Sequence, residues 1–186
     1  MQATDILSSE HRVIERVISA LEAAAAKLAA GQSMRPEFFV EATDFIKGFA
    51  DGCHHRKEEG VLFASMTRFG LPQQGGPVGV MLAEHEQGRQ FTRGLRAAAL
   101  QLAAGDAAAA AAVIQNARGY ANLLRQHIVK EDQILFPMAN RVIPLNEHDK
   151  VFAGFEQVEH EETGAGVHEK YLALAEKLEQ EVGLGQ

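Results

Sequence analysis

The chain has 186 residues, 46% of them hydrophobic and 6% aromatic, enough to bury one sizeable core and to form a single domain. Its formal charge of −7 and pI near 5.6, with no run of Lys or Arg, argue against nucleic acid and anionic membranes as partners, since both select for a basic patch. Apolar stretches such as the alanine tracts at 23–26 and 107–112 fall far short of the roughly 20 residues that cross a bilayer, so no membrane span is expected.

Gly and Pro punctuate the chain about every thirty residues, and the segments between are rich in Ala, Leu, Glu, Gln and Arg, all good helix formers. A first helix is predicted from about Thr4 to Ala30, with Thr4 or Asp5 as N-cap and Gly31 just past its end. Ile6, Leu7, Ile14, Val17, Ile18, Leu21 and Leu28 follow helical spacing on one face. Pro36 suits the first turn of a second helix that stops near Gly70. After the loop LPQQGGP, Pro77 opens a third helix ending at Gly105, and Asp106 caps a fourth that runs to about Pro137 or a little beyond. Four long helices with short connections predict an all-α, antiparallel up-down bundle over residues 1–140. After Pro144, NEHDKVFAGFEQVEHEE and VHEKYLALAEKLEQE read as two shorter amphipathic helices around TGAG. Residues 141–186 are expected to be an appendage packed on the bundle, or a surface for a homodimer or a protein partner. The N-terminus MQATDILSSEHR lacks the basic-then-apolar pattern of a signal peptide, and the single Cys53 has no internal disulfide partner; both fit the cytoplasm.

One phrase occurs twice. Residues 54–63 read HHRKEEGVLF and residues 127–136 read HIVKEDQILF, 73 positions apart. The repeat extends upstream: SSEHRVIE surrounds His11 and LAEHEQGR surrounds His85. The pattern is therefore a lone His early in one helix, HxxxE late in the next, and then both again. From His11 to Gly31 the first helix climbs about 30 Å, and from Pro36 the second returns about 27 Å to His54. The second half repeats this excursion, so all four helices should present a His at the same end of the bundle. In HxxxE both side chains project from one helical face, one turn apart. His11, His54, Glu58, His85, His127 and Glu131 would then converge inside the bundle, where bare carboxylates are costly unless paired or bound to metal. Imidazole and carboxylate donors without thiolate suit iron, manganese or zinc, and six donors exceed what one structural zinc takes, so two ions, with iron favoured, fit better.

These residues resemble the hemerythrin family in its HHE cation-binding form, over roughly residues 5–140. The likeness is carried by EH at 10–11, HxxKEExxLF at 54–63, GPVxxMLxEH at 76–85 and HIxKEDxILFP at 127–137. It implies a four-helix bundle around a non-haem di-iron centre, oxo- or hydroxo-bridged, with the six residues above as ligands and Glu58 and Glu131 bridging. The oxygen-carrying members have a second His one turn after the helix-three ligand, where this chain has Arg89, and their second bridging carboxylate is an Asp at the position of Asp132. A ligand set richer in carboxylate should favour the ferric state over simple oxygen carriage. The expected activity is binding of, or reaction with, oxygen, nitric oxide or peroxide; an iron- or oxygen-responsive regulatory module and an iron storage or delivery protein are the alternatives.

Neighbouring residues receive quieter expectations. Glu15, one turn after His11, should pair with a cation such as Arg89 across the repeat axis. His55 and Glu59 lie about 100° around an α-helix from the ligand pair and are expected behind the ligands or at the surface. Lys57 and Lys130 should form charge pairs on the outer face. Leu62, Phe63, Leu135 and Phe136 should be core, Cys53 a small buried residue, and His148, His160 and His168 part of a solvated acidic face.

Overall fold

A computed structural model describes residues 2–162 and 167–184, which are almost entirely helical and contain no strand. Helix α1 (Ala3–Ala29) starts earlier than the predicted caps because the Gln2 N–H donates to the Asp5 carboxylate at 2.7 Å, leaving Thr4 inside the first turn. It ends as the sequence suggests: Gly31 takes φ +74°, a left-handed conformation that lets the Gln32 N–H reach the Lys27 carbonyl at 3.0 Å.

Helix α2 is one rod over residues 36–68, but not one α-helix. It begins as α at Pro36–Phe45, widens into π over Ile46–His55 and again over Glu58–Leu62, and closes as α at Phe63–Arg68. Helix α3 (Pro77–Ala103) has its proline in the first turn, where no backbone donor is needed. Helix α4 covers 107–142: the Asp106 side chain accepts from the Ala108 N–H at 3.0 Å, α geometry holds over Ala110–Lys130, π over Glu131–Leu135, and α again over Phe136–Val142. It passes through Pro137 because the π stretch already interrupts the i to i−4 ladder there, so the missing proline donor costs little. The π segments at Glu58–Leu62 and Glu131–Leu135 occupy corresponding places in the sequence repeat.

The C-terminal segment forms helices α5 (His148–Glu162) and α6 (Val167–Val182); the hinge expected at TGAG lies outside the described residues. Helix α3 packs on α4 and α2, α1 packs on α4, α6 lies along α1 and α2, and α5 covers the π segments of α2. Gly48 makes the α6 contact: a Cβ there would sit 1.6 Å from the Tyr171 hydroxyl oxygen. Among the described residues, no helix is long and apolar enough to cross a membrane.

The buried residues separate into two apolar clusters. The larger is built on Ile14, Ile18, Leu21, Phe38, Phe45, Phe49, Leu95, Leu124 and close-packed alanines, and α6 adds Ala175, Leu178 and Val182. The smaller holds Leu7, Leu62, Phe63, Met66, Met81, Leu135, Phe136, Val151 and Phe155. Each long, fully buried side chain contributes about 1.5–3 kcal/mol. His11 falls between Leu7 and Ile14, His54 and Glu58 between Phe49 and Leu62, His85 between Met81 and Leu95, and His127 between Leu124 and Leu135. A polar layer thus crosses the molecule between two dry cores.

Candidate metal centre

His11 comes from α1, His54 and Glu58 from α2, His85 from α3, and His127 and Glu131 from α4; all six are buried. Glu131 Oε2 lies 3.2 Å from the Nε2 atoms of both His11 and His127. Glu58 lies 3.5 Å from His54 Nε2 through one oxygen and 3.4 Å from His85 Nε2 through the other. The His85 and His127 Nε2 atoms are 3.0 Å apart. Two groups of donor atoms, each mutually within 4.8 Å, result: His11, His54, Glu58 and Glu131, and His55, Glu58, His85 and His127. Glu58 belongs to both.

Every imidazole in these groups has its outer nitrogen on a carboxylate. His11 Nδ1 meets Asp132 at 2.9 Å, His54 meets Glu10 at 2.9 Å, His55 meets Asp51 at 2.8 Å, His85 meets Glu59 at 2.7 Å, and His127 meets Glu84 at 2.9 Å. An ionised carboxylate only accepts, so each Nδ1 carries the proton and turns Nε2 inward as the metal-binding atom, an arrangement that fixes the ring and raises its basicity. The carboxylates are themselves held by cations. Lys57 donates to Glu10 at 2.5 Å, Arg89 donates to Glu59 at 2.5 Å and lies 3.5 Å from Asp51, while Lys130 binds Glu84 and Arg12 binds Asp132. Sequence reasoning missed this ring. Its signal was present, since an acid adjoins His11, Glu58, His85 and Glu131: Glu10, Glu59, Glu84 and Asp132.

The inward atoms are short of partners. Among the described residues, His11 Nε2, His55 Nε2 and both oxygens of Glu58 and of Glu131 have no hydrogen-bond partner. Burial, and then the charge of Glu131, push the Glu58 carboxyl well above its usual range. Burial opposes ionisation of Glu131 too, but His127 and His11 outweigh it and hold that carboxyl well down. His127 is raised to about 9 against its burial, by Glu131 and Glu84, and His11 is raised against burial by Asp132 and Glu131. Burial carries His54 and His85 well below the usual imidazole value. Two buried carboxylates side by side thus demand positive charge between them, and protons are the poor substitute. Neutral imidazoles and carboxylates without thiolate fit divalent or trivalent cations of hard to borderline character.

Several expectations change. Asp132 does not face the centre; it hydrogen-bonds the outer nitrogen of His11. His55 is neither behind the ligands nor at the surface but buried against them, because a π turn takes an extra residue and keeps positions 54 and 55 both inside. Glu15 pairs with Arg12 at 2.9 Å rather than with Arg89. Lys57 is fully buried, roofed by Glu159 of α5 at 2.5 Å, whereas Lys130 stays partly exposed. His148 is buried, while His160 and His168 are exposed. Leu62, Phe63, Leu135 and Phe136 are core, with Phe136 stacked on His11 at 5.4 Å and Phe63 facing His85 at 6.0 Å. Cys53 is buried, and burial pushes its thiol up to about 11. A surface cavity of about 400 Å³, lined by Asp51, Arg56, Glu59, Gly60 and Arg89, opens beside the carboxylates that hold His55 and His85.

The family model described as hemerythrin HHE cation binding domain matches residues 2–139. Uncharacterised proteins of Mycobacterium bovis and of two strains of Mycobacterium tuberculosis are each 24% identical over 182 residues, covering 98% of this chain and 71% of theirs. No solved structure matches.

Proposed function

The chain belongs to the hemerythrin HHE cation-binding family, and from that premise we propose that it is a non-haem di-iron protein whose centre binds or reacts with oxygen, nitric oxide or peroxide. The observation that carries this reading is the set of four buried, unpartnered oxygens on Glu58 and Glu131, flanked on either side by imidazole nitrogens. His11, His54, Glu58, His85, His127 and Glu131 would hold two ions, with Glu58 common to the two donor groups. The bound irons supply the redox chemistry. On this reading residues 1–140 form an antiparallel four-helix bundle and residues 141–186 its appendage.

The chain's own contribution is geometric and electrostatic. Each carboxylate on a ring nitrogen fixes its imidazole; one of them, Glu59, is lowered to about 2 by His85 and Arg89 despite its burial. Phe63 and Phe136 close the apolar side and exclude water. The cavity beside Arg89 is large enough to hold a diatomic or peroxide molecule against Asp51 and Glu59, the carboxylates behind His55 and His85. The acid-rich surroundings favour the higher metal oxidation state, which supports reaction or sensing over reversible carriage. The protein would work in a reducing compartment such as the cytoplasm, with Cys53 a thiol.

A second reading has its own observation. Glu159 of α5 closes a chain of contacts through Lys57 and Glu10 to His54. Metal occupancy could thereby set how firmly the C-terminal helices dock, making them the output to a homodimer or protein partner. The test is an optical titration of the iron-loaded protein with oxygen, nitric oxide and peroxide, paired with hydrogen exchange of α5 before and after chelation. Ligand-dependent spectral change and turnover support the catalytic reading; exchange in α5 that rises on chelation, without turnover, supports the regulatory one. An iron spectrum indifferent to all three ligands would contradict the first reading.

A further inference from the structure

The two halves of the repeat match donor for donor except at one place. Seventy-three positions after His54 and Glu58 stand His127 and Glu131, but the counterpart of His55 is Ile128 and that of Asp51 is Leu124. His55 is only 3% exposed, and its ring stacks on His85 with centroids 3.9 Å apart and planes 17° apart. Its Nδ1 donates to Asp51 at 2.8 Å, as the other four imidazoles donate to their own carboxylates. Its Nε2 has no hydrogen-bond partner among the described residues, although the atom is shut away from solvent. His55 belongs to the donor group formed with Glu58, His85 and His127. Packing alone accounts for the stacked ring. It does not account for a buried ring that is tied to a carboxylate through one nitrogen, bare at the other, and within 4.8 Å of three other donors.

Position 89 explains the need. One turn after His85 an imidazole could enter the same group, but Arg89 stands there and turns outward to Asp51 and Glu59, the carboxylates behind His55 and His85. The π stretch Ile46–His55 brings in a ring from the neighbouring helix instead.

We propose that His55 is a seventh metal donor, whose Nε2 completes the coordination of one ion together with His85, His127 and Glu58, while His11, His54, Glu58 and Glu131 hold the other. The inference rests on the two-ion reading and makes the ions unlike: one has three imidazoles, the other two imidazoles and a second carboxylate. Losing His55 therefore weakens one ion and spares its neighbour.

The experiment is a titration of the metal-free chain with cobalt(II), followed by absorption spectroscopy and elemental analysis after desalting. Two substitutions are used: His55→Phe, which keeps a stacked ring and removes the donor, and His55→Ala, which removes both. Wild type is expected to take up about two ions, and both variants to show a lower-affinity second ion, weaker by about tenfold or more, with an altered visible band. Circular dichroism of the metal-free forms guards against misfolding, and the phenylalanine variant keeps the test alive should the alanine variant fail to fold. Two equally tight ions with an unchanged spectrum in the phenylalanine variant would overturn the role of His55 alone. A wild-type chain that takes up no cobalt would overturn the two-ion reading and this inference with it.

Discussion

In the first half of the chain Glu10 binds both His54 and Lys57; in the second, Glu84 binds both His127 and Lys130. Glu59 holds His85 as Asp132 holds His11, and Phe63 faces His85 as Phe136 faces His11. The halves diverge where other parts of the molecule intrude. Lys57 is sealed under α5 and Glu159, while Lys130 keeps 36% of its side chain exposed. The first half alone carries His55 and Asp51, where the second has Ile128 and Leu124. The sequence repeat supplies matching donors and carboxylates; the cover of α5 over Lys57 and the extra histidine at position 55 make the two halves inequivalent.

The largest effect should come from the residues both halves share. Glu58→Ala or Glu131→Ala removes a carboxylate common to imidazoles from different helices, and each is expected to abolish most metal uptake, whereas His160→Ala on the exposed face of α5 leaves uptake unchanged, as elemental analysis would show. Equal losses in all three would break the assignment.

Glu10→Gln and Glu84→Gln sharpen the comparison. Both replace the carboxylate on an imidazole nitrogen with a neutral amide, and each should weaken metal binding by about 10–100-fold. Their costs in stability should differ. Glu10→Gln leaves a fully buried ammonium with Glu159 and without its buried carboxylate, and should destabilise the metal-free protein by about 1.5–3 kcal/mol in urea unfolding. Glu84→Gln leaves Lys130 in contact with water and should cost about 1 kcal/mol or less. Equal costs would mean that the burial of Lys57 carries no energetic weight.

The docking of α6 gives two smaller tests. Gly48→Ala drives a methyl group into Tyr171 and should destabilise the chain by about 1–3 kcal/mol, with faster hydrogen exchange in Val167–Val182 than in α3. The same helix is tied to α2 by Glu41, which accepts from Arg35 at 2.9 Å and from Lys177 at 2.8 Å. Arg35, with Lys177, lowers the Glu41 carboxyl against its partial burial. A lowered folded value stabilises above the ordinary carboxylate value, and the contribution is lost as pH falls through the lowered one. Below the ordinary range, exchange in α6 should therefore rise before exchange in α3.

The helices were legible because Pro and Gly mark their ends, and the convergence of His11, His54, His85 and His127 because four helices of nearly equal length return each His to one level. Three features were not legible. The π turns change how far each residue rotates, and an α-helical wheel sends His55 to the wrong face. Apart from Asp51 on His55, the carboxylates on the ring nitrogens come from a different helix than their imidazole, so Glu59 of α2 serves His85 of α3. Lys57 looked like an outer charge because its cover, Glu159, lies 102 positions away and enters only with the packing of α5.

The most direct measurement is metal content per chain, by elemental analysis of protein purified from iron-supplemented cells, with absorption spectra in air and after reduction. The account predicts about two irons and near-ultraviolet bands that bleach on reduction. A single zinc, or no metal and no such bands, would contradict it.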